Sequence, residues 1–137
     1  MAKIQAVPNK SNQLLRALQP AVRKRIEPHL KSVDYKLGDV VCEAGGLIEH
    51  AYFPEGCVLS LLTALDNGDA IETANIGREG AFGLFAAMYS RVSFNRSLVQ
   101  QEGPMGRCPV AILQTAFQNS SHVQDLFVSP IHSHQYG

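Results

Sequence analysis

The chain has 137 residues, 45% hydrophobic and 18% charged, with a formal net charge of zero. That length suits one globular domain with a real core, and that balance excludes a disordered chain and argues against a nucleic-acid-binding face. The longest apolar runs fall short of the roughly eighteen residues a bilayer span requires, and no secretion signal opens the chain, so no membrane partner and a cytoplasmic location are expected.

Residues 1–10 read as a frayed terminus. Ser11 is placed to N-cap a short helix through Leu18, with Leu14, Leu15 and Leu18 on one side. Pro20 suits the first position of a second helix over 20–26, with Arg23, Lys24 and Arg25 facing water. Pro28 ends it, since proline disfavours helical geometry in the residue before it.

From Lys31 the period changes to two. Val33 and Tyr35 alternate with polar residues, Leu37-Gly38-Asp39 turns, and 40–42 continues as a strand. A turn at 43–46 leads to a strand over 50–53, a turn at 54–56 and a longer strand over 57–65. Asp66-Asn67-Gly68-Asp69 is the strongest hairpin signal, because Asn-Gly tolerates the positive φ of a tight turn. Strands are expected at 70–76 and 97–102, a turn at Gly103-Pro104, a helix from Pro109 carrying Val110, Leu113 and Phe117, and a last helix over 122–128. Short strands separated by turn signals indicate a β-sandwich or β-barrel.

Cys42, Cys57 and Cys108 form no C-x-x-C pair, which suits free thiols in a reducing compartment. A Cys42–Cys57 disulfide is conceivable on paper, but the compartment argues against it.

The stretch 76–99 carries the chemistry. Glycines at 77 and 80 close a turn around Arg78 and Glu79, an apolar run over 81–88 is long enough for two helical turns, and Arg96-Ser97 arrives at the next strand. A loop feeding a helix start, with a guanidinium and a hydroxyl nearby, is suited to an anion. The plainer alternative is a packed helix cap with Arg96 on the surface.

The order of these motifs is specific. Leu37-Gly38-Asp39, Gly45, Ile48-x-His50-x-Tyr52-Phe53, Gly56, Val58, the Asp66-Asn67-Gly68 hairpin, Ile76-Gly77-Arg78-Glu79-Gly80 and Asn95-Arg96-Ser97 follow one another over roughly residues 11–128. The chain resembles the cyclic-nucleotide-binding-domain superfamily, and within it the sensory domain of Crp/Fnr-type bacterial transcription regulators. The resemblance implies a mainly β fold, a double-stranded β-roll of jelly-roll type with short flanking helices. It also implies a phosphate-binding cassette: Glu79, Gly80, Ala81 and Phe82 at the turn, Arg96 and Ser97 on the following strand. The expected partner is a small anionic ligand, with cyclic AMP or cyclic GMP as candidates. The family glutamate that holds the ribose hydroxyl is replaced here by Ala81, and Glu79 is a candidate substitute. The dimerisation helix and the helix-turn-helix implied by the family have no counterpart in these residues. The chain therefore reads as a sensor domain without its DNA-binding half, able to form a homodimer through the roll or the short helices.

Two other functions fit parts of the sequence. A β-roll interaction module would have its cavity plugged by Phe82, Phe85 and Phe94. A cupin-like metalloenzyme would use His132-x-His134, but that pair lies beyond the roll. His50 reads as a partly buried strand histidine, and Ser60 and Ser97 lack a legible His/Asp arrangement, so no enzyme is expected.

Overall fold

A computed structural model of the chain describes residues 4–6, 12–87 and 90–118. Eight strands form two antiparallel four-stranded sheets. The first orders β1 (Ile4–Ala6), β2 (Lys31–Tyr35), β8 (Gly103–Pro109) and β4 (His50–Pro54); the second orders β3 (Val40–Cys42), β7 (Arg96–Gln101), β5 (Val58–Ala64) and β6 (Ala70–Ile76). The expected β-roll with flanking helices is the fold observed.

The helices form because each has a start signal and one apolar face. Helix α1 (Gln13–Ala17) is capped by Asn12, whose Oδ1 accepts from the Leu15 N–H at 2.9 Å. Ser11, the expected cap, lies outside the described residues. Helix α2 (Pro20–Ile26) opens on proline and buries Val22 and Ile26, one turn apart. A 3-10 turn, Glu27–His29, then carries Pro28. Helix α3 (Val110–Gln118) buries Val110, Leu113, Ala116 and Phe117 and packs on α2. These faces join Phe53, Leu59, Val99 and Met105 in one core. Full burial of a leucine or phenylalanine side chain contributes about 1.5–3 kcal/mol, so this core is the main source of stability.

Three expectations are corrected. Residues 4–6 are not frayed: they pair with β2, Ile4 opposite Val33. Gly103-Pro104 is not a turn between strands but the start of β8, and Pro109 ends that strand rather than opening the helix. β8 lies between β2 and β4, with Met105 opposite both Val33 and Pro54. Ladders on both sides outweigh the missing proline N–H, and the Pro104 carbonyl accepts from the amides of Glu55, Gly56 and Cys57 at 3.1, 3.1 and 3.2 Å. A β-carbon on Gly103 would lie 2.7 Å from the Gly56 carbonyl carbon, so this crossing needs glycine. All three cysteines are free.

Candidate functional site

The turn after β6 is held by its own residues. The Gly80 N–H donates to the Gly77 carbonyl at 3.1 Å, and Glu79 Oε2 accepts from the Gly77 N–H at 3.1 Å. The Glu79 carboxylate thus closes its own loop. Arg78 Nε donates to the Glu55 carbonyl at 3.0 Å, fixing the turn to the end of β4.

Ala81 is half-buried and carries no polar side-chain atom. Phe82 exchanges two backbone hydrogen bonds with Tyr52, at 2.7 and 2.9 Å, and so acts as a one-residue extension of the first sheet beyond β4. Its ring is buried against Tyr52, centroids 6.2 Å apart, and Tyr52 meets Tyr35 edge-on at 6.4 Å. Burial pushes the Tyr52 hydroxyl up to about 12, with the Tyr35 hydroxyl adding to the rise. His50 is half-buried; desolvation, then the Arg107 charge, lowers its pKa, so it stays neutral more readily than an exposed imidazole.

The expected two helical turns over 81–88 shrink to one 3-10 turn, Leu84–Ala87. The reason is local: Phe82 is committed to a strand bridge, and Gly83 has φ of +89°, which no helix accepts. Leu84 and Ala86 are buried, and the turn packs on α3. The returning chain zips onto the 45–48 loop, with Ile48 N–H donating to the Arg91 carbonyl and Ser93 N–H to the Gly46 carbonyl. Phe94 is 83% exposed and does not plug the roll; the Phe85 side chain lies outside the described residues.

Arg96 and Ser97 open β7 and face opposite ways, as neighbours on a strand must. The Arg96 side chain is 46% exposed, and its Nε sits 3.2 Å from the Glu43 carboxylate, itself largely exposed. Ser97, paired with Leu61 on β5 and Cys42 on β3, is fully buried. Its Oγ has no hydrogen-bond partner among the described residues. The structure therefore groups Glu79, Gly80, Ala81 and Phe82 at one turn and places Arg96 and Ser97 together on β7. Among the described residues no hydrogen bond or ion pair joins the two groups.

Two residues outside the expected set are built into this region. Asn12 is fully buried and reaches the turn, donating from Nδ2 to the Gly80 carbonyl at 3.0 Å. Glu55 is buried with Oε1 accepting from Ser32 Oγ at 3.3 Å and Oε2 unpartnered among the described residues. Burial raises its pKa, the Ser32 bond opposes that, and the Asp34 charge adds to the rise. The only sequence sign of Asn12 was its place beside a cap candidate. Glu55 gave no sign, because Pro-Glu-Gly reads as a surface turn. Among the described residues no group of three or more His, Cys, Asp or Glu is arranged to hold a metal. His132 and His134 lie outside them.

The architecture is that of the cyclic-nucleotide-binding domains. Among solved structures, a Silicibacter pomeroyi protein described as a candidate cAMP-binding regulatory protein superposes with a TM-score of 0.76 at 10% identity, over 93% of this chain and 59% of that one. The sensor domain of the transcriptional regulator DNR from Pseudomonas aeruginosa gives 0.69 at 12% identity, over 84% and 77%. The regulatory subunit of a cAMP-independent protein kinase A from Trypanosoma brucei gives 0.67 at 12% identity, over 77% and 39%. The chain thus spans about two fifths of the kinase subunit and three fifths of the Silicibacter protein. No protein-family model and no curated protein sequence matches it.

Proposed function

We propose that this chain is the ligand-sensing β-roll of a Crp/Fnr-type bacterial transcription regulator. In this proposal it is a cytoplasmic, non-enzymatic domain that takes a small anionic ligand between the Gly80 turn and the Arg96-Ser97 pair. DNA would be contacted only through a helix-turn-helix domain outside these 137 residues, and two copies would associate through the roll or its short helices. The observation that carries this reading is the buried Ser97 hydroxyl, which has no partner among the described residues; Arg96 faces the other way and would have to swing from Glu43 to reach the same anion. An unsatisfied hydroxyl costs about 1–3 kcal/mol, which a ligand oxygen would recover. The exposed Arg96–Glu43 pair contributes at most about 1 kcal/mol, so Arg96 can leave Glu43 for an anion at little cost.

A cyclic nucleotide would bind without a partner for its ribose hydroxyl, because Ala81 offers no acceptor and Glu79 is engaged at Gly77. That lowers affinity roughly ten- to a hundredfold against a site that has one. Calorimetry with cyclic AMP and cyclic GMP tests the proposal. Expected are weak binding to the parent chain, gain in Ala81→Glu, and loss of at least about tenfold in Arg96→Ala. No heat with either nucleotide, including in Ala81→Glu, would discard it. The second reading, a roll working by protein contacts, would then stand on Leu47, Val92 and Phe94, which are 58%, 44% and 83% exposed. Leu47 and Val92 face each other in a β-bridge, and Phe94 follows two residues on, which makes a local apolar surface.

A further inference from the structure

We infer that Asn12 is a positioning residue that couples the 77–80 turn to the helical layer. Its side chain is fully buried and each of its polar atoms is used. Oδ1 accepts from the Leu15 N–H and starts α1; Nδ2 donates both its protons, to the Pro54 carbonyl at 2.7 Å and to the Gly80 carbonyl at 3.0 Å. One amide therefore joins the first helix, the end of β4 and the glycine of the candidate cassette. The next residue adds a second link, since the Gln13 N–H donates to the Arg78 carbonyl at 2.9 Å. Arg78 in turn grips Glu55, the residue after Pro54, so the loop of contacts closes on itself.

Beyond α1 the link continues through Arg23 of α2, whose Nη1 donates to the Arg16 carbonyl of α1 at 3.1 Å. α2 packs on α3, and α3 packs on the 3-10 turn that follows Gly83. A shift of the Gly80 carbonyl must either stretch its part-buried bond to Asn12 or carry α1 with it. Asn12 itself is fully buried, so a broken bond would leave its amide proton without a partner, which favours the second course. A helix cap alone needs only Oδ1; the two donated bonds are what a cap does not require. The coupling rests on the ligand-sensing proposal only for what would displace the turn; the bridge itself rests on contacts within the protein.

Hydrogen exchange read by mass spectrometry tests it, on the full chain and two variants. Serine at position 12 can still accept from Leu15 N–H, but it cannot reach both carbonyls. In Asn12→Ser, peptides covering the 77–80 turn and α1 should both exchange about tenfold faster or more while the β5–β6 hairpin keeps parent-like exchange; uniform acceleration that includes the hairpin is plain destabilisation and overturns the inference. A residue that served only as a cap would be rescued by serine, so parent-like exchange overturns the inference. Arg78→Ala removes the grip on Glu55 from the far side of the turn and touches no α1 side-chain contact. Faster exchange at the turn should be accompanied by faster exchange in α1; a loosened turn beside an unchanged α1 overturns the coupling, even where Asn12→Ser does not fold. Cyclic AMP is then added to the parent chain. Protection of the turn and α1 together supports the coupling, and protection of the turn alone defeats it. Concerted exchange in both variants without any effect of cyclic AMP supports the bridge and counts against the nucleotide as ligand.

Discussion

Replacing Gly83 with alanine puts a side chain where the backbone has closed up. Gly83 has φ of +89°, and the left-handed region costs an L-residue about 1–2 kcal/mol. A β-carbon there would also lie 2.7 Å from the His50 carbonyl oxygen, 3.1 Å from Ile48 Cγ2 and 3.3 Å from Ala51 Cα. Two of those three atoms belong to the backbone of β4, which is paired along its length with β8 and has little freedom to retreat. Overpacking of this kind adds about 1–3 kcal/mol. The expected loss is therefore about 2–5 kcal/mol, a large share of the roughly 5–15 kcal/mol typical of a domain. Gly45→Ala is the control: its φ is +82°, but a β-carbon there meets nothing within 4 Å, so only the backbone cost of about 1–2 kcal/mol applies. The chain has no tryptophan, so urea unfolding is followed by far-ultraviolet circular dichroism with linear extrapolation. Gly83→Ala should fall below Gly45→Ala by about 1–3 kcal/mol. Equal losses would show that the cassette segment does not press against β4 as described.

Three shorter predictions follow from buried groups. Ser97→Ala removes a buried hydroxyl that has no partner among the described residues, so stability should hold or rise by about 1 kcal/mol in the same urea assay; a loss larger than that would mean the hydroxyl is bonded. Glu55 has a folded-state pKa raised by burial, so its stabilising contribution is present below the ordinary glutamate value of about 4.3 and is lost as pH rises through the folded value. Glu55→Gln should thus be more stable than the parent at neutral pH, with the gap closing as pH falls; a gap independent of pH refutes the burial of that charge. Burial pushes Cys57 up to about 11 and Cys108 up to about 12, whereas Cys42 is half-buried. Iodoacetamide under native conditions should mark Cys42 first, and equal labelling of Cys108 would contradict its place in the core.

The parts of the fold legible in the sequence are those set by neighbouring residues. The β5–β6 hairpin was readable because Asn67-Gly68 supplies the turn and the flanking runs supply the strands. α2 was readable from Pro20 at its start and Pro28 just beyond its end. β8 was not, because glycines 103 and 106 and prolines 104 and 109 all argue locally against a strand; it exists because β2 and β4 offer ladders on either side. Asn12 was missed in favour of Ser11 for a similar reason. What selects it are carbonyls 42 and 68 positions away, at Pro54 and Gly80. At the site, the pairing of Arg96 with Ser97 was visible. Their opposite directions follow from strand alternation alone, whereas the Glu43 partner of Arg96 depends on how the β3 end folds over β7.

The position of β8 has a consequence for how the chain acquires its shape. The middle of the first sheet is supplied by a segment late in the chain, and its neighbour β2 lies 68 to 76 positions earlier, from Tyr35 opposite Gly103 to Lys31 opposite Arg107. Until residue 109 is available, β2 and β4 have no strand between them, and their facing edges carry unpaired backbone groups. Such distant pairings slow folding, because a long loop must close before any contact compensates for its lost freedom. A nascent chain would hold those two strand edges unpaired until β8 arrives, so the interval before it emerges is when this roll is most open to aggregation and to capture by chaperones.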